Sequence, residues 1–154
     1  MPKQSAGILA YRFNEAELLQ VLLVHPGGPF YKNKDAGVWS IPKGEFEPGE
    51  DPLAVALREF EEETGNTITG KHFIQLQPVK IKSGKTIAAW AIENDFDNCF
   101  IKSNLFTMEW PPKSGKQQQF EEVDDAAWFT VQEAAIKINA GQLPLLYELQ
   151  NILP

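Results

Sequence analysis

The chain of 154 residues carries 21 acidic and 14 basic side chains, a formal net charge of −7. That balance argues against a general nucleic-acid-binding surface, and one cysteine, Cys99, excludes an internal disulfide. No apolar run approaches the length of a membrane span, and the N-terminal 13 residues lack the apolar stretch of a signal peptide. We therefore expect a single domain, residues 1–154, in the cytoplasm, with neither nucleic acid nor membrane as a partner.

The N-terminal third predicts two strands and a loop. Residues 6–13 and 18–25 are rich in aliphatic and β-branched side chains, and a polar turn at 14–17 joins them. Residues 26–37 follow, punctuated by glycine and proline, and are predicted to form a loop.

The segment 44–66 predicts a helix with one acidic face. Pro52 suits the first helical position, Asp51 the N-cap and Gly65 the left-handed C-terminal position. At 3.6 residues per turn, one arc carries the less polar side chains Leu53, Ala56, Leu57, Phe60 and Thr64. An adjacent arc carries Glu59, Glu62 and Glu63, whose like charges destabilise a helix by about 0.2–0.5 kcal/mol per pair. Such a face is either solvated or holds a cation, and hard divalent ions prefer carboxylate oxygen ligands.

The spacing of the glycine, glutamate and arginine residues in this segment resembles the Nudix box of the Nudix hydrolases. The matching residues are Gly44, Glu50, Arg58-Glu59, Glu62-Glu63 and Gly65. Asn66 departs from the bulky aliphatic residue that usually ends the box, and Ile68 is a candidate to supply the missing apolar contact.

This resemblance implies roles for individual residues. The acids matching Glu59, Glu62 and Glu63 bind Mg²⁺ or Mn²⁺ in the family, and the carbonyl of the glycine matching Gly44 joins them. The arginine matching Arg58 orients the first acid. We also expect Glu62, Glu63 and Arg58 to act in catalysis. Glu50 is expected to support the loop, an outer metal position or the substrate side of the site.

The remaining elements fit the same family. Residues 73–82 and 86–93 predict a hairpin around Ser83-Gly84, followed by a strand near 104–110, a loop at 111–119 and a short strand at 126–129. Thr130 and Glu133 have the form of a capping box, which predicts a helix from there to Gly141, and 143–153 predicts a last amphipathic helix. The resemblance implies an α/β fold, a Nudix-type α/β/α sandwich around a mixed β-sheet.

A second acidic patch precedes the strand that carries Trp128. In the resembled family, a loop acid near this point often serves as a further metal ligand or general base. Glu122 is the first candidate for both roles and Glu121 the second, while an exposed turn acid remains an equal alternative.

Substrate-side residues are harder to assign. Lys43, directly before the box, is similar to the lysine of members that cleave dinucleoside polyphosphates or inositol pyrophosphates. Tyr31 is a candidate to stack on a base, as are four other aromatic residues: Phe30, Trp90, Phe106 and Trp110. Lysines that could assist Lys43 lie in predicted loops or hairpin ends: Lys32, Lys34, Lys80, Lys82, Lys85, Lys113 and Lys116.

The resemblance therefore implies a pyrophosphohydrolase that depends on a divalent metal ion. Its substrate would be a small molecule, a nucleoside diphosphate linked to another moiety, such as a dinucleoside polyphosphate or a nucleoside triphosphate. The alternative is a Nudix-fold sensor that binds nucleotides without catalysis. An anion loop at Gly27-Gly28 is weaker, since it lacks the spacing and lysine of a P-loop.

Overall fold

A computed structural model of the chain describes residues 3–154, which form nine strands, three α-helices and one 3₁₀ turn. The strands are β1 Gln4–Phe13, β2 Leu19–Pro26, β3 Lys43–Glu45, β4 Ile74–Gln75, β5 Val79–Lys80, β6 Thr86–Glu93, β7 Leu105–Glu109, β8 Gln117–Glu121 and β9 Val123–Thr130. The helices are α1 Pro52–Thr64, α2 Val131–Lys137 and α3 Leu143–Ile152, with the 3₁₀ turn at Ala140–Gln142.

Seven strands form one mixed sheet in the order β4-β6-β1-β2-β9, with β3 paired to β1 and β5 paired to β6. The pairing of β1 with β6 is parallel, and the other pairings are antiparallel. Side chains alternate along β1, so Ala6, Ile8 and Ala10 pack with α1 on one face, while Leu9 and Tyr11 pack with α2 and α3 on the other. This arrangement confirms the expected α/β/α sandwich around a mixed sheet.

The box helix begins and ends where the sequence predicts. Pro52 occupies the first turn, and Gly65 adopts a left-handed φ of 79° while its N–H donates to the Glu61 carbonyl. Ile68 packs against the buried cluster between α1 and the sheet, which includes Phe60 and Ile8. It thus supplies an apolar contact that the polar Asn66 does not. Asp51 has the extended backbone of an N-cap, but its side chain makes no capping hydrogen bond.

Three expectations about the second half need correction. The strand predicted at 73–82 is split into β4 and β5, with Pro78 between them. Part of the segment predicted as a loop at 111–119 forms β8, which pairs with β7 in a separate two-stranded sheet. Because β8 is exposed along most of its length, its sequence lacks the apolar alternation that marks a strand.

The third correction concerns α2, which ends at Lys137 and not at Gly141. The Trp39 N–H donates to the Lys137 carbonyl, and the Asn139 N–H donates to the Trp39 carbonyl. The chain therefore leaves the helix to pair with a distant segment. The capping box at Thr130 and Glu133 is present as predicted. Within residues 3–154, no helix is long and apolar enough to cross a membrane.

Candidate active site

Helix α1 presents its acids because its opposite face is anchored in the sheet. Ala56 and Phe60 are fully buried against the face that carries Ile8. With that face fixed, Glu59 and Glu62 lie at the edge of the helix toward β3. Glu61 is exposed, as the helical periodicity predicts.

The strand β3 approaches α1 closely because its central residue is glycine. A Cβ atom built on Gly44 would lie 2.1 Å from the Glu59 Cδ atom and 2.5 Å from its Oε1 atom. On the neighbouring strand, a Cβ on Gly7 would lie 2.7 Å from the Pro42 carbonyl oxygen. Both glycines therefore permit a close approach that brings the Glu59 carboxyl group directly onto the β3 backbone.

Arg58 lies among three carboxylates. Its guanidinium nitrogens are 3.9 Å from Glu50 Oε2, 3.8 Å from Glu59 Oε1 and 3.9 Å from Glu62 Oε1. The Arg58 side chain is about half exposed, and these distances are long for ion pairs, so each contact alone stabilises the fold little. As a group, they hold Glu59 and Glu62 on the same side of the helix. Glu50 also accepts a hydrogen bond from the Glu47 N–H at 2.8 Å.

Glu63 lies beneath the other acids. Its side chain is buried, and Oε2 accepts a hydrogen bond from the Lys43 N–H at 3.3 Å. Burial raises the pKa of Glu63 well above its ordinary value, although the Lys43 ammonium lowers it. Burial likewise lowers the pKa of Lys43, and Glu63 opposes that shift. In this structure Glu63 thus joins α1 to the entry of β3.

Glu122 is fixed opposite the helix through backbone hydrogen bonds. Its N–H donates to the Asn104 carbonyl at 2.9 Å, and the Asn104 N–H donates to the Glu62 carbonyl at 2.9 Å. On its other side, the Glu122 carbonyl accepts from the Gly27 N–H at 2.8 Å. Asn104 is therefore a bridge between α1 and the Glu122 loop.

These elements enclose a cavity of about 330 Å³. Four acids and two lysines line it, together with three other residues: Glu45, Glu59, Glu62, Glu122, Lys43, Lys85, Ser5, Gly44 and Asn104. Of the two candidates in the second acidic patch, the structure places Glu122 in this cavity and Glu121 outside it. Glu63, Arg58, Glu50 and Tyr31 do not line it.

Two of the cavity acids, Glu59 and Glu122, have raised pKa values. Removal from water raises the pKa of Glu59 most, the charge of Glu62 raises it further, and Arg58 lowers it. Partial removal from water also raises the pKa of Glu122, with Glu62 again adding to the shift. The ionised forms therefore repel one another, and a bound cation would relieve that repulsion.

The donor set suits a hard divalent ion, because every side chain on the acidic side offers carboxylate oxygen. The close contact of Glu59 with Gly44 keeps the carboxyl group beside the β3 backbone, as binding of one ion by Glu59 and the Gly44 carbonyl would require. Across residues 3–154, however, no three His, Cys, Asp or Glu side chains are close enough to form a ready-made metal site. The acids are gathered at one cavity but are not drawn together around a single point.

A second cavity has a volume of about 490 Å³. It is lined by Gly28, Pro29, Lys32, Trp110, Gln118, Phe120, Glu121 and Asp124. Phe30 packs edge-on against Trp110, with ring centroids 5.4 Å apart. Of the proposed stacking residues, Trp110 lines this cavity, whereas Trp90 packs against the cluster under α1. Tyr31 is exposed, with the Lys34 ammonium 5.6 Å from its ring centroid.

Sequence reasoning did not single out Asn104 or Gly7. Asn104 acts through its backbone, which no side-chain pattern can reveal. Gly7 did offer a signal, since a glycine inside an aliphatic strand marks a close approach of another backbone. Of the assisting lysines, the structure brings Lys85 to the acid cavity, while Lys80, Lys82, Lys113 and Lys116 are exposed elsewhere.

The fold and the helix-borne acids define the class of protein: an α/β sandwich with a Nudix box at one cavity. Comparison with known families agrees, because a model of the NUDIX domain matches residues 1–149. The chain belongs to the NUDIX domain family.

Three similar proteins illustrate the likeness. The bis(5'-nucleosyl)-tetraphosphatase [asymmetrical] of Rattus norvegicus is 40% identical over 67 residues, which are 38% of this chain and 44% of that protein. The chain thus matches less than half the length of this curated relative. The NUDIX domain of Shewanella oneidensis NrtR, complexed with ADP ribose, has a TM-score of 0.70 at 16% identity, covering 100% of this chain and 90% of that one. A C. elegans Ap4A hydrolase binary complex has a TM-score of 0.64 at 22% identity, covering 96% of each chain.

At these identities the two structural likenesses show the fold. Family membership rests on the match of the NUDIX domain model to residues 1–149.

Proposed function

We propose that this protein hydrolyses a phosphoanhydride bond in a nucleoside diphosphate linked to another moiety, with dinucleoside polyphosphates as its preferred substrates. The observation that carries this proposal is the cavity in which Glu59, Glu62 and Glu122 face Lys43 and Lys85. Carboxylates alone would repel a phosphate chain, and lysines alone would bind it without chemistry. Both together suit a phosphate chain that is neutralised on one side by cations held on the acids.

The proposed cofactor is Mg²⁺ or Mn²⁺. Glu59, Glu62, Glu122 and the Gly44 carbonyl would hold it, with Glu63 kept as a further predicted ligand. When bound, such an ion neutralises phosphate charge and lowers the pKa of a coordinated water.

The chain's own groups have separate tasks in this proposal. Arg58 keeps Glu59 and Glu62 oriented toward the cavity, and Glu63 fixes Lys43 at the start of β3. A carboxylate of Glu122 accepts the proton of the attacking water. Burial raises the pKa of Glu122, which makes its carboxylate a stronger base than a solvated one.

The nucleoside would bind in the second cavity. Trp110 and Phe120 offer apolar ring surface there, and Lys32 and Asp124 offer polar contacts. Because Glu121 and Glu122 are consecutive and line the two cavities separately, a nucleotide could place its base in one and its phosphates in the other. Glu50 and Tyr31 remain proposed substrate-side residues that act from outside both cavities.

Lys43 contributes to the proposed preference for long phosphate chains. Its attraction for the substrate grows with each added phosphate, whereas a stacked adenine contributes about equally to short and long substrates. We expect Lys43→Gly to lower kcat/KM more for diadenosine tetraphosphate than for ADP-ribose. Equal losses for the two substrates would rule out this role of Lys43 but would leave the hydrolase proposal standing.

The test of the function is product analysis over a panel of nucleotides. Diadenosine tetraphosphate, ATP and ADP-ribose are incubated with Mg²⁺, with Mn²⁺ and with EDTA, and the products are separated by anion-exchange chromatography. We expect cleavage with either metal ion and none in EDTA. Undiminished turnover in EDTA would contradict the metal-dependent mechanism, and tight binding without turnover would favour the non-catalytic sensor.

A further inference from the structure

The acid cavity is lined by side chains of both charges. Glu45, Glu59, Glu62 and Glu122 supply carboxyl groups, and Lys43 and Lys85 supply ammonium groups. Lys85 is not part of the Nudix box; it enters from the hairpin between β5 and β6, on the far side of β1.

The backbone at Lys85 is fixed at both ends. The Ile81 N–H donates to the Lys85 carbonyl at 2.9 Å, closing a turn in which Gly84 takes a left-handed φ of 92°. One residue later, the Thr86 N–H donates to the Lys3 carbonyl at 3.1 Å, which ties the strand to β1. A lysine whose backbone is held in this way loses less conformational entropy on binding an anion than one on a mobile loop.

The Lys85 side chain is also held in the cavity. Its Nζ atom lies 3.4 Å from Glu45 Oε2, and the side chain is 25% exposed. Glu45 lies on β3, in register with Ser5 of β1, so the pair spans three adjacent strands of the sheet. Glu45 itself is about half exposed and also lies 3.7 Å from the Lys3 ammonium. A more highly charged anion can therefore displace the Glu45 carboxylate from Lys85.

We propose that Lys85 and Lys43 form an anion subsite. It binds the phosphate groups that lie beyond those held at the acids, and Lys85 sets the preference for longer phosphate chains. This inference rests on the proposed function, since it assumes that a phosphate chain occupies the cavity. The ligand is a linear polyphosphate group. Lys85 is a binding residue for it and takes no part in bond cleavage.

The chain provides a matched control for the test. Lys82 lies in the same hairpin, three residues away, but is exposed and does not line the cavity. Lys85→Gln removes the charge, Lys85→Arg keeps it, and Lys82→Gln removes the same charge outside the subsite. Circular dichroism and the urea midpoint are used to check that all three variants fold.

Binding of inorganic tripolyphosphate and inorganic pyrophosphate is measured by calorimetry in Mg²⁺ at low ionic strength. Losing one charge-assisted contact should weaken tripolyphosphate binding about tenfold in Lys85→Gln, while pyrophosphate changes less than about twofold. Lys85→Arg should restore most of the affinity, and Lys82→Gln should bind like the unmodified protein. Equal losses for both anions, unchanged tripolyphosphate binding in Lys85→Gln, or an equal effect of Lys82→Gln would overturn the subsite.

Kinetics give a second readout. With diadenosine tetraphosphate, Lys85→Gln should raise KM about tenfold and change kcat less than about threefold, because binding is lost and the reacting groups remain. A fall in kcat with constant KM would contradict a binding role. If the unmodified protein cleaves no nucleotide, the proposed function fails, but the calorimetric comparison still decides whether Lys85 binds a polyphosphate chain.

Discussion

Replacing Gly44 by alanine should displace the Glu59 carboxyl group and disable the site with little loss of fold. The added Cβ would lie 2.1 Å from Glu59 Cδ, whereas carbon atoms in contact are normally about 3.5–4.0 Å apart. The carboxyl group must therefore retreat by roughly 1.5 Å. The Gly44 backbone lies outside the left-handed region, so alanine itself is not strained there.

The size of the effect follows from that displacement. A misplacement of about 1 Å in a catalytic constellation can cost about 10²-fold in rate, which corresponds to about 2.7 kcal/mol of activation free energy. Overpacking of this kind costs about 1–3 kcal/mol of stability. We expect kcat for diadenosine tetraphosphate to fall about 100-fold, while the urea unfolding curve remains a single transition at a lower midpoint.

Gly70→Ala is the matched control. Its Cβ would lie 2.9 Å from Ile92 Cδ1 and 3.0 Å from the Glu93 carbonyl oxygen, a milder clash outside the cavity. This variant should lose stability and keep its kcat. If Gly44→Ala kept kcat within about threefold, or if Gly70→Ala lost as much, the close contact of Glu59 with β3 would not be what positions the site.

Two further predictions concern α1 and α2. Glu62→Gln and Glu63→Gln should each lower kcat by about 10²-fold or more, since each replaces a predicted charged ligand by a neutral side chain, whereas the exposed Glu61→Gln should stay near the unmodified value. Steady-state kinetics on the three variants checks this, and equal damage by Glu61→Gln would show that the wrong face had been assigned. In the capping box, hydrogen bonds from the Thr130 N–H and hydroxyl lower the pKa of Glu133 below its ordinary 4.5, so its contribution to stability is present above that pH and is lost as the pH falls through the lowered value. The difference in unfolding free energy between the unmodified protein and Glu133→Gln should therefore shrink between about pH 6 and about pH 3 in urea titrations; a difference independent of pH would mean that the charge of Glu133 plays no part.

The sequence predicted the elements whose signals are local and strong. Helix α1 begins at Pro52 and ends before Gly65 because both residues act on the backbone of their own turn. Strands β1 and β2 follow from runs of buried aliphatic residues. The family resemblance then supplied the order of the layers, which such local signals do not contain.

The features that sequence reasoning missed depend on distant contacts. Strand β8 forms because it pairs with β7, and α2 ends early because residues 137–139 pair with Trp39. In the site, the structure brings the predicted residues Glu59 and Glu62 and the candidate Glu122 to one cavity, whereas the burial of Glu63 was not predicted. Helical spacing places Glu63 beside the other acids, whereas only the position of β3 decides that its carboxyl group accepts a hydrogen bond from Lys43.

The most direct test of the central claim is a time course with diadenosine tetraphosphate in Mg²⁺ and H₂¹⁸O, followed by mass spectrometry of the nucleotide products. We predict steady formation of two nucleotide products, with one ¹⁸O atom entering one of them at each cleavage, and a rate about 10²-fold lower for Glu62→Gln. The labelled product also identifies the phosphorus atom that water attacks. No cleavage by the unmodified protein of this substrate or of any nucleotide in the panel, or an equal rate for Glu62→Gln, would contradict a hydrolase that works through the acids of α1.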